Sequence, residues 1–404
     1  MGRLSRTAVQ MERGVLSLLG IVICLQVLLL EVHAESPEMV MEIAYLNRVV
    51  KQSPVLSNIM EIPSDEGLQG ARLAIQDNNA AGRFFKQKSI LHEVNLPQAG
   101  DLHSAMKKLL YQGIPFIVAN LPADELLRAE EITKGEDVLL FNIGASENRL
   151  REEECRANVF HTLPSRAMLA DALAQFLVFK KWKHWFLITG AKKEDHLFRL
   201  SLKRSARRFG AKIVAEKKWT FHADMRRLVQ QELPVFTQIE EDYDVLVVSD
   251  ETGDFGEYLP YHTRDPRPVA GTQGLVPVAW HRVIEQWGAA QLQKRFRKLS
   301  GRFMGSKDYA AWLAVRSLGE AVMRKKTNAV HEVRAFLLSE HFHLGGFKGI
   351  KLNYRAWNGQ MRQPIPLIHP RSLVSQSPQE GFLHPLTTLD TLGFDRPESR
   401  CRFQ

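Results

Sequence analysis

The stretch PFIVANLPADELLRAEEITKGEDVLLFNI, residues 115–143, decides the fold. Its apolar runs at 115–119 and 138–143 predict two buried strands, and the amphipathic residues 124–134 between them predict a helix. A strand, a crossover helix and a second strand in this order form the unit of a parallel sheet. We therefore expect an α/β protein built on mostly parallel sheets flanked by helices.

The same alternation extends from this stretch toward both ends of the chain. The predicted strands are 42–50, 89–94, 159–163, 184–189, 212–217 and 244–249, and the predicted helices are 67–79, 101–111, 168–180, 197–209 and 225–233. After a loop-rich stretch, a strand is expected at 276–280 and helices at 284–299, 306–324 and 330–341. Asn358-Gly359 predicts the turn of a β-hairpin within 346–368, and the chain from Ser372 onward is expected to be loop-like.

The first 34 residues have the pattern of a cleavable signal peptide. Arginines at positions 3, 6 and 13 precede the uncharged run 15–30, and Val32-His33-Ala34 fits a cleavage site before Glu35. The alternative is an uncleaved anchor helix, although the run is shorter than the about 20 residues that span a bilayer. Lipid attachment at Cys24 is a weaker alternative. We therefore expect export from the cytoplasm, and the resemblance given below implies the periplasm.

Length and charge limit the remaining choices. A chain of 404 residues is too long for one ordinary core, so two lobes are expected. The net charge is +9, and part of the excess lies in 180–208. A nucleic-acid surface is one interpretation of that stretch, but its charges flank apolar residues at helical spacing, which is typical of a solvated helix face. We expect no nucleic-acid partner.

Cys155 and Cys401 are the two cysteines that follow the predicted signal peptide. In an oxidising compartment such a pair predicts one disulfide, with two free thiols as the alternative. No CxxC or HxxxH spacing accompanies them, so no metal site is predicted. The sequence also has no GxSxG, Walker or GxGxxG motif. We therefore expect neither an enzyme nor a bound cofactor.

Candidate ligand-binding residues lie at the carboxyl ends of predicted strands, where open α/β sheets bind ligands. They are Asn47, Asn120, Gly144, Ala145, Ser146, Asp250, Glu251 and Trp280. The small residues admit a ligand closely, and Ser146 adds a hydroxyl. For Asp250 and Glu251 a solvated loop is the alternative to binding an ammonium or hydroxyl group. For Trp280 the alternative is packing in the core.

Six stretches, in their order along the chain, resemble the type I periplasmic solute-binding proteins of ABC transporters, the family of the leucine/isoleucine/valine binders. They are GLQGARLAIQDNNAAG (67–82), VLLFNIGASENRLR (138–151), NVFHTLPSRAMLADALAQFLV (158–178), GTQGLVPVAWH (271–281), GSKDYAAWLAVRSLGEAV (305–322) and FKGIKLNYRAWNGQMRQP (347–364). More narrowly, the chain resembles the subgroup associated with pyrroloquinoline-quinone-dependent alcohol oxidation.

The resemblance implies two lobes joined by three crossings, near 162–165, 271–276 and 341–346. It divides the chain into the signal peptide 1–34, lobe 1 (35–163 and 276–341), lobe 2 (164–275 and 342–371) and a tail, 372–404. A small solute would bind in the cleft, and a membrane permease would recognise the closed, loaded form. A monomer is expected.

In the family's amino-acid binders, small residues and hydroxyls hold the ligand carboxylate at the position of Gly144, Ala145 and Ser146, and an acidic residue of the second lobe takes the ammonium. Glu251 or Asp250 is the counterpart of that acid. Asn120-Leu121-Pro122-Ala123 replaces the family's serine- or threonine-rich turn, which argues against an α-amino acid. The narrower resemblance implies a solute of alcohol or aldehyde catabolism. The rival function is a ligand sensor with the same fold that signals to a membrane receptor.

Overall fold

The computed structural model describes residues 39–49, 63–220 and 229–403. The predicted signal peptide, 1–34, and Cys24 lie outside the described residues. None of the described helices is long and apolar enough to cross a membrane.

The described residues alternate strands and helices, as predicted. The strands are β1 (Met39–Arg48), β2 (Gln87–Leu96), β3 (Phe116–Asn120), β4 (Leu139–Asn142), β5 (Val159–His161), β6 (His184–Thr189), β7 (Lys212–Lys218), β8 (Val245–Ser249), β9 (Val269–Gly271), β10 (Val276–Pro277), β11 (Leu344–Gly345), β12 (Lys351–Tyr354), β13 (Met361–Arg362), β14 (Ile365–His369) and β15 (Ser372–Ser377). The helices are α1 (Leu68–Gly82), α2 (Leu102–Tyr111), α3 (Ala123–Ile132), α4 (Arg166–Phe179), α5 (Lys193–Phe209), α6 (Val229–Phe236), α7 (Ala289–Ser300), α8 (Ser306–Lys325) and α9 (Val330–Leu337).

The first sheet has the strand order β2-β1-β3-β4-β5, and every neighbouring pair is parallel. The apolar run Phe116–Ala119 is fully buried because helices cover both faces of the sheet. On one face α1 and α8 pack against Ile43, Phe116 and Phe141. On the other face α2 and α3 pack against alternating side chains of the same strands. The α/β fold class with parallel sheets is confirmed.

The second sheet has the order β7-β6-β8-β9 and is also parallel. Its central strand β8 is buried over its whole length, as its sequence VLVVS predicts. Helices α4 and α5 cover one face through Leu173 and Leu202. The other face packs on Trp219, Leu233 and Phe255. The carboxyl ends of two parallel sheets thus supply the loops of the candidate site.

Two small antiparallel sheets follow, and one prediction fails there. The hairpin is confirmed, since β12 and β13 pair through Tyr354 and Met361 around a loop that contains Asn358-Gly359. The expectation of a loop from Ser372 is wrong, because residues 372–377 form β15 and pair with β14. The sequence SLVSQS lacks a clear apolar alternation, so this strand depends on backbone pairing with its apolar neighbour IPLIH.

The start of α7 is a second difference from the sequence prediction. The helix was expected from residue 284 but begins at Ala289. Trp287 and Gly288 have φ values of 55° and 81°, in the left-handed region that interrupts a right-handed helix. Ile284 is therefore buried in the segment that precedes the helix and is not part of the helix.

The C-terminal tail is fastened to both sheets. The predicted Cys155–Cys401 disulfide is present, with a Cα–Cα distance of 5.6 Å. Next to it, the Glu152 carboxylate accepts hydrogen bonds from Ser399 Oγ (3.1 Å) and from the backbone N–H of Arg400 (2.8 Å). Earlier in the tail, Gln379 N donates to Gln175 Oε1 on α4 at 3.0 Å. The tail thereby connects the first sheet's β4–β5 loop to the second sheet's helix.

Candidate functional site

The predicted residues of the first sheet lie where its strands end. Asn47 and Asn120 are register partners on β1 and β3, and Asn120 Nδ2 donates to Asn47 Oδ1 at 3.0 Å. Asn47 Nδ2 in turn donates to Asn95 Oδ1 at 3.1 Å. The structure brings Asn47 and Asn120 together, but their amides are engaged mainly with each other and with neighbouring protein groups.

The loop after β4 is shaped by the side chain of Asn142. Its Oδ1 accepts the N–H groups of Gly144 (3.2 Å) and Ala145 (2.9 Å), and its Nδ2 donates to Ala145 O (2.7 Å). A Cβ on Gly144 would lie 2.7 Å from backbone atoms of Leu121, so only glycine fits. Ser146 follows with a half-buried side chain. The loop is fixed before any ligand arrives.

Arg151 also holds this loop in place through hydrogen bonds to its carbonyl groups. It is 1% exposed, and it donates to Ala145 O (2.9 Å), Glu147 O (3.1 Å), Leu163 O (3.0 Å) and Gln360 Oε1 (2.9 Å). Burial lowers the pKa of Arg151 to about 9. The guanidinium therefore ties the loop to Leu163, in the segment that leads from the first sheet to α4.

On the second sheet, Asp250 and Glu251 follow β8 but have different environments. The Asp250 carboxylate accepts the N–H groups of Asp254 (3.0 Å), Phe255 (3.0 Å) and Gly256 (2.7 Å). Asp250 is 1% exposed and fixes its own loop. The side chain of Glu251 is 23% exposed and points to Arg166. Of the two acids, Glu251 is the more exposed one.

Arg166, Glu251 and Glu147 form a cluster where the loops of the two sheets meet. Arg166 donates from Nε and Nη2 to the Glu251 carboxylate at 2.6–3.0 Å. Its Nη1 lies 3.6 Å from Glu147 Oε2, and its backbone N–H donates to Ser146 O at 2.9 Å. Within the described chain, Nη1 is buried and has no hydrogen-bond partner. The side chain of Arg166 is only 6% exposed. A buried N–H group without an acceptor destabilises the folded protein unless another acceptor reaches it.

Burial also shifts the acids of this cluster. It raises the pKa of Glu251, and the hydrogen bonds and charge of Arg166 offset only part of that shift. Burial raises the pKa of Asp195 as well, and Asp195 Oδ1 accepts the backbone N–H of Glu251 at 2.8 Å. For Arg166 burial acts to lower the pKa, but the hydrogen bonds to Glu251 and the charges of Glu251, Glu147 and Glu194 together outweigh burial and raise the pKa. The cluster can thus offer a solute one N–H donor, one hydroxyl and two carboxylates.

Comparisons with known proteins agree with this architecture. Residues 60–231 match the family model described as "Periplasmic binding protein". A branched-chain amino acid ABC transporter ligand-binding protein from Burkholderia xenovorans superimposes with a TM-score of 0.68 at 15% identity, over 90% of this chain and 99% of that one. The chain has the fold of a periplasmic binding protein.

Two further solved structures show the same fold. The leucine-, isoleucine-, valine-, threonine- and alanine-binding protein of Brucella ovis has a TM-score of 0.66 at 15% identity, over 90% of this chain and 99% of that one. The branched-chain amino acid binding protein of Streptococcus pneumoniae, in complex with isoleucine, has a TM-score of 0.61 at 13% identity, over 84% and 99%. No curated protein sequence matches the chain.

In this periplasmic binding protein fold Trp280 lies in the first core. It is 1% exposed, and its ring stacks on Tyr309 with a centroid distance of 4.5 Å. Of the two interpretations of Trp280, its surroundings favour core packing. No group of three or more His, Cys, Asp or Glu residues in the described part of the chain is arranged to hold a metal ion.

Sequence reasoning missed Arg166, Glu147 and Arg151. Arg166 had a signal, since it is the first residue of α4, directly after the N-cap Ser165. The helix dipole disfavours a cation at that end, so an arginine there indicates a partner or a function. Arg151 had no such signal, because its partner Gln360 is 209 residues away.

Proposed function

We propose that this chain is the extracytoplasmic solute-binding component of an ABC transporter, and that it performs no covalent chemistry. The observation that carries the proposal is the buried Arg166 Nη1, which has no hydrogen-bond partner in the described residues and lies where the loops of both sheets meet. A solute acceptor at this atom would contact both halves of the fold at once. Binding there would therefore stabilise the form in which the lobes are closed over the solute.

The cluster favours a small polar solute with complementary groups. A carboxylate or hydroxyl oxygen would accept from Arg166 Nη1 and Ser146 Oγ, while an ammonium or hydroxyl group would donate to Glu147 or Glu251. Amino acids, which the Brucella and Streptococcus proteins are named or shown to bind, satisfy this pattern. Hydroxy acids satisfy it equally and need no hydroxyl from the Asn120 loop.

The finer proposal is a solute from alcohol or aldehyde catabolism. It rests on the narrower sequence resemblance. A hydroxy acid is the class of solute that agrees with both this resemblance and the polar groups of the site. Ser146, Glu251, Gly144 and Ala145 are the proposed contact residues, with Asn47, Asn120 and Asp250 shaping the loops from behind. The proposed crossings are 162–165, 271–276 and 341–346, and a monomer delivering solute from the periplasm to a permease completes the proposal.

A thermal-shift screen of the chain from Glu35 onward tests this function. The panel contains α-amino acids, α-hydroxy acids, simple carboxylates, alcohols, aldehydes and divalent metals. A true ligand raises Tm in proportion to the logarithm of its concentration above Kd, and calorimetry then gives a one-to-one stoichiometry. A shift produced by metals alone, or by none of the solutes, would contradict the proposal.

A further inference from the structure

One end of the first sheet, opposite the candidate site, carries an exposed cationic and aromatic surface. We call it the base patch and define it by two segments, 83–88 and 324–326, which lie at the C-terminal ends of α1 and α8. Its exposed members are Arg83, Phe84, Phe85, Lys86, Lys88, Arg324, Lys325 and Lys326. The segments are neighbours, since Gln87 Nε2 donates to Val322 O at 3.3 Å.

The aromatic part of the patch is unusually open. Phe84 is 86% exposed and Phe85 is 55% exposed, side by side in a turn after α1. Adjacent phenylalanines projecting into solvent are costly to hydrate, and such a pair marks a surface that another apolar phase covers.

The cationic part surrounds that pair. Six of the eight exposed members are lysine or arginine. Among the described residues, Arg324 alone of these six has an ion pair, with Glu320 at 2.7 Å. The patch therefore presents at least five uncompensated positive charges around two apolar rings.

The chain enters the fold in the middle of this patch. Met39 N donates to Lys86 O at 2.9 Å, and Asn328 Nδ2 donates to Val40 O at 3.0 Å, so β1 starts between the two segments.

We propose that the base patch docks on an anionic lipid bilayer. Lysine and arginine side chains near such a surface each contribute about 1 kcal/mol, and aromatic rings settle at the boundary between headgroups and acyl chains. Strand β1 runs from the patch to Asn47 at the candidate-site end of the first sheet, so the docked protein keeps its site directed away from the lipid. Docking thus holds the protein at a membrane without blocking solute capture.

Vesicle co-sedimentation of the chain from Glu35 onward tests the proposal. Phosphatidylcholine vesicles with phosphatidylglycerol should bind the protein, pure phosphatidylcholine vesicles should bind it weakly, and salt should reduce the binding. The triple variant Arg83→Gln/Phe84→Ser/Lys325→Gln should lower the partition coefficient at least about tenfold, since it removes two charges and one ring.

The matched control removes the same groups at the other end of α8. Arg282, Phe303 and Arg371 are exposed there, and Phe303 is 42% exposed. Arg282→Gln/Phe303→Ser/Arg371→Gln should retain vesicle binding with an unchanged Tm. Equal losses in both triple variants, or equal binding to both vesicle types, would overturn the proposal.

A second variant tests whether the chain's own acidic segment covers the base patch. Glu35 and Glu38 precede β1, and Glu35→Gln/Glu38→Gln removes their charge. Lipid docking predicts that this variant binds anionic vesicles at least as well as the parent. Vesicle binding that appears only in this variant would show that the patch is covered by its own segment, and the lipid proposal would be wrong.

Discussion

Two buried arginines, Arg151 and Arg166, contact the same loop but differ in how fully their N–H groups are hydrogen-bonded. Arg151 is 1% exposed, and each of its nitrogens has a carbonyl or amide acceptor. Arg166 is 5% exposed, and one of its nitrogens has no partner among the described residues. The two side chains are therefore similar in burial but different in hydrogen bonding, and this difference motivates the proposal that Arg166 contacts the solute.

The two arginines also differ in what they bind. Arg151 donates mostly to backbone carbonyls, which no substitution can remove. Arg166 is paired with a side chain, Glu251, which can be replaced together with it. The contrast predicts that Arg151 contributes to stability and Arg166 to binding, and the following experiments test each side of it.

Arg151→Met should produce the largest effect. It leaves Glu147 O and Gln360 Oε1 without a donor inside the protein and removes one of the two donors to each of Ala145 O and Leu163 O. Each unsatisfied buried acceptor costs about 1–3 kcal/mol, so the free energy of unfolding in urea should fall by about 3 kcal/mol or more.

Arg128→Met is the control for that substitution. The side chain of Arg128 is 66% exposed, and its contact with Glu125 spans 3.6 Å. Its loss should change the free energy of unfolding by less than about 0.5 kcal/mol. Similar losses in the two variants would show that Arg151 does not fasten the loop.

Removing the disulfide should have the next largest effect, because the disulfide holds the C-terminal tail to the loop between β4 and β5. Cys155→Ala/Cys401→Ala opens a long cross-linked loop, and about 2–4 kcal/mol of unfolding free energy should be lost. Ligand affinity should change little, since the disulfide is not part of the cluster around Arg166. Two titratable thiols in the exported wild-type protein would contradict the bridge.

The sequence predicted the fold well where local pattern and packing agree. The buried run at 116–119 and the helix after it needed only apolar periodicity. β15 was missed because its residues alternate weakly and its pairing with β14 supplies the order. The start of α7 was missed because left-handed conformations at Trp287 and Gly288 override the apolar spacing.

The candidate site was predicted in part, since the rule on strand ends selects loops and not partners. It selected Ser146 and Glu251, which the structure places beside Arg166. It also selected Asp250, whose carboxylate is engaged with its own loop. The pairing of Arg166 with Glu251 spans 85 residues, so no local pattern could reveal it.

On the binding side of the contrast, Arg166→Met/Glu251→Gln should separate affinity from stability. Replacing both partners leaves neither charge of the Arg166–Glu251 pair buried alone, and the Glu147 side chain is 21% exposed to solvent, so the free energy of unfolding should change by less than about 1 kcal/mol. The affinity for the solute found in the screen should fall about 10- to 100-fold, since a charge-assisted hydrogen bond is lost. Calorimetry and urea unfolding measure the two quantities.

Ser146→Ala is the milder companion of that variant. It removes one hydroxyl and should weaken binding about fivefold, consistent with about 1 kcal/mol for a neutral hydrogen bond. Unchanged affinity in both variants would show that the solute binds elsewhere, and a large loss of stability in the double variant would show that Arg166 is structural like Arg151.

The smallest expected effect is on the pH dependence of stability, and it arises from Glu251. Burial raises the pKa of this carboxyl in the folded chain, so the native state binds protons more tightly than the unfolded state. Its contribution to stability is therefore greatest below the ordinary glutamate pKa of about 4.3 and is lost as the pH rises through the raised pKa. In the variant Glu251→Gln, the free energy of unfolding should decrease less steeply than in the wild type as the pH rises above about 4.3.

The size and the control of this effect follow from linkage. One proton changes the slope by at most about 1.4 kcal/mol per pH unit, and Arg166 offsets part of the shift, so the difference between the curves should be smaller than the effects of the other variants. Glu131→Gln, at a side chain that is 64% exposed, should follow the wild type. A solute that donates to Glu251 favours the ionised carboxylate, so adding it should flatten the wild-type curve as well. A wild-type slope unchanged by saturating solute would mean that Glu251 does not touch it.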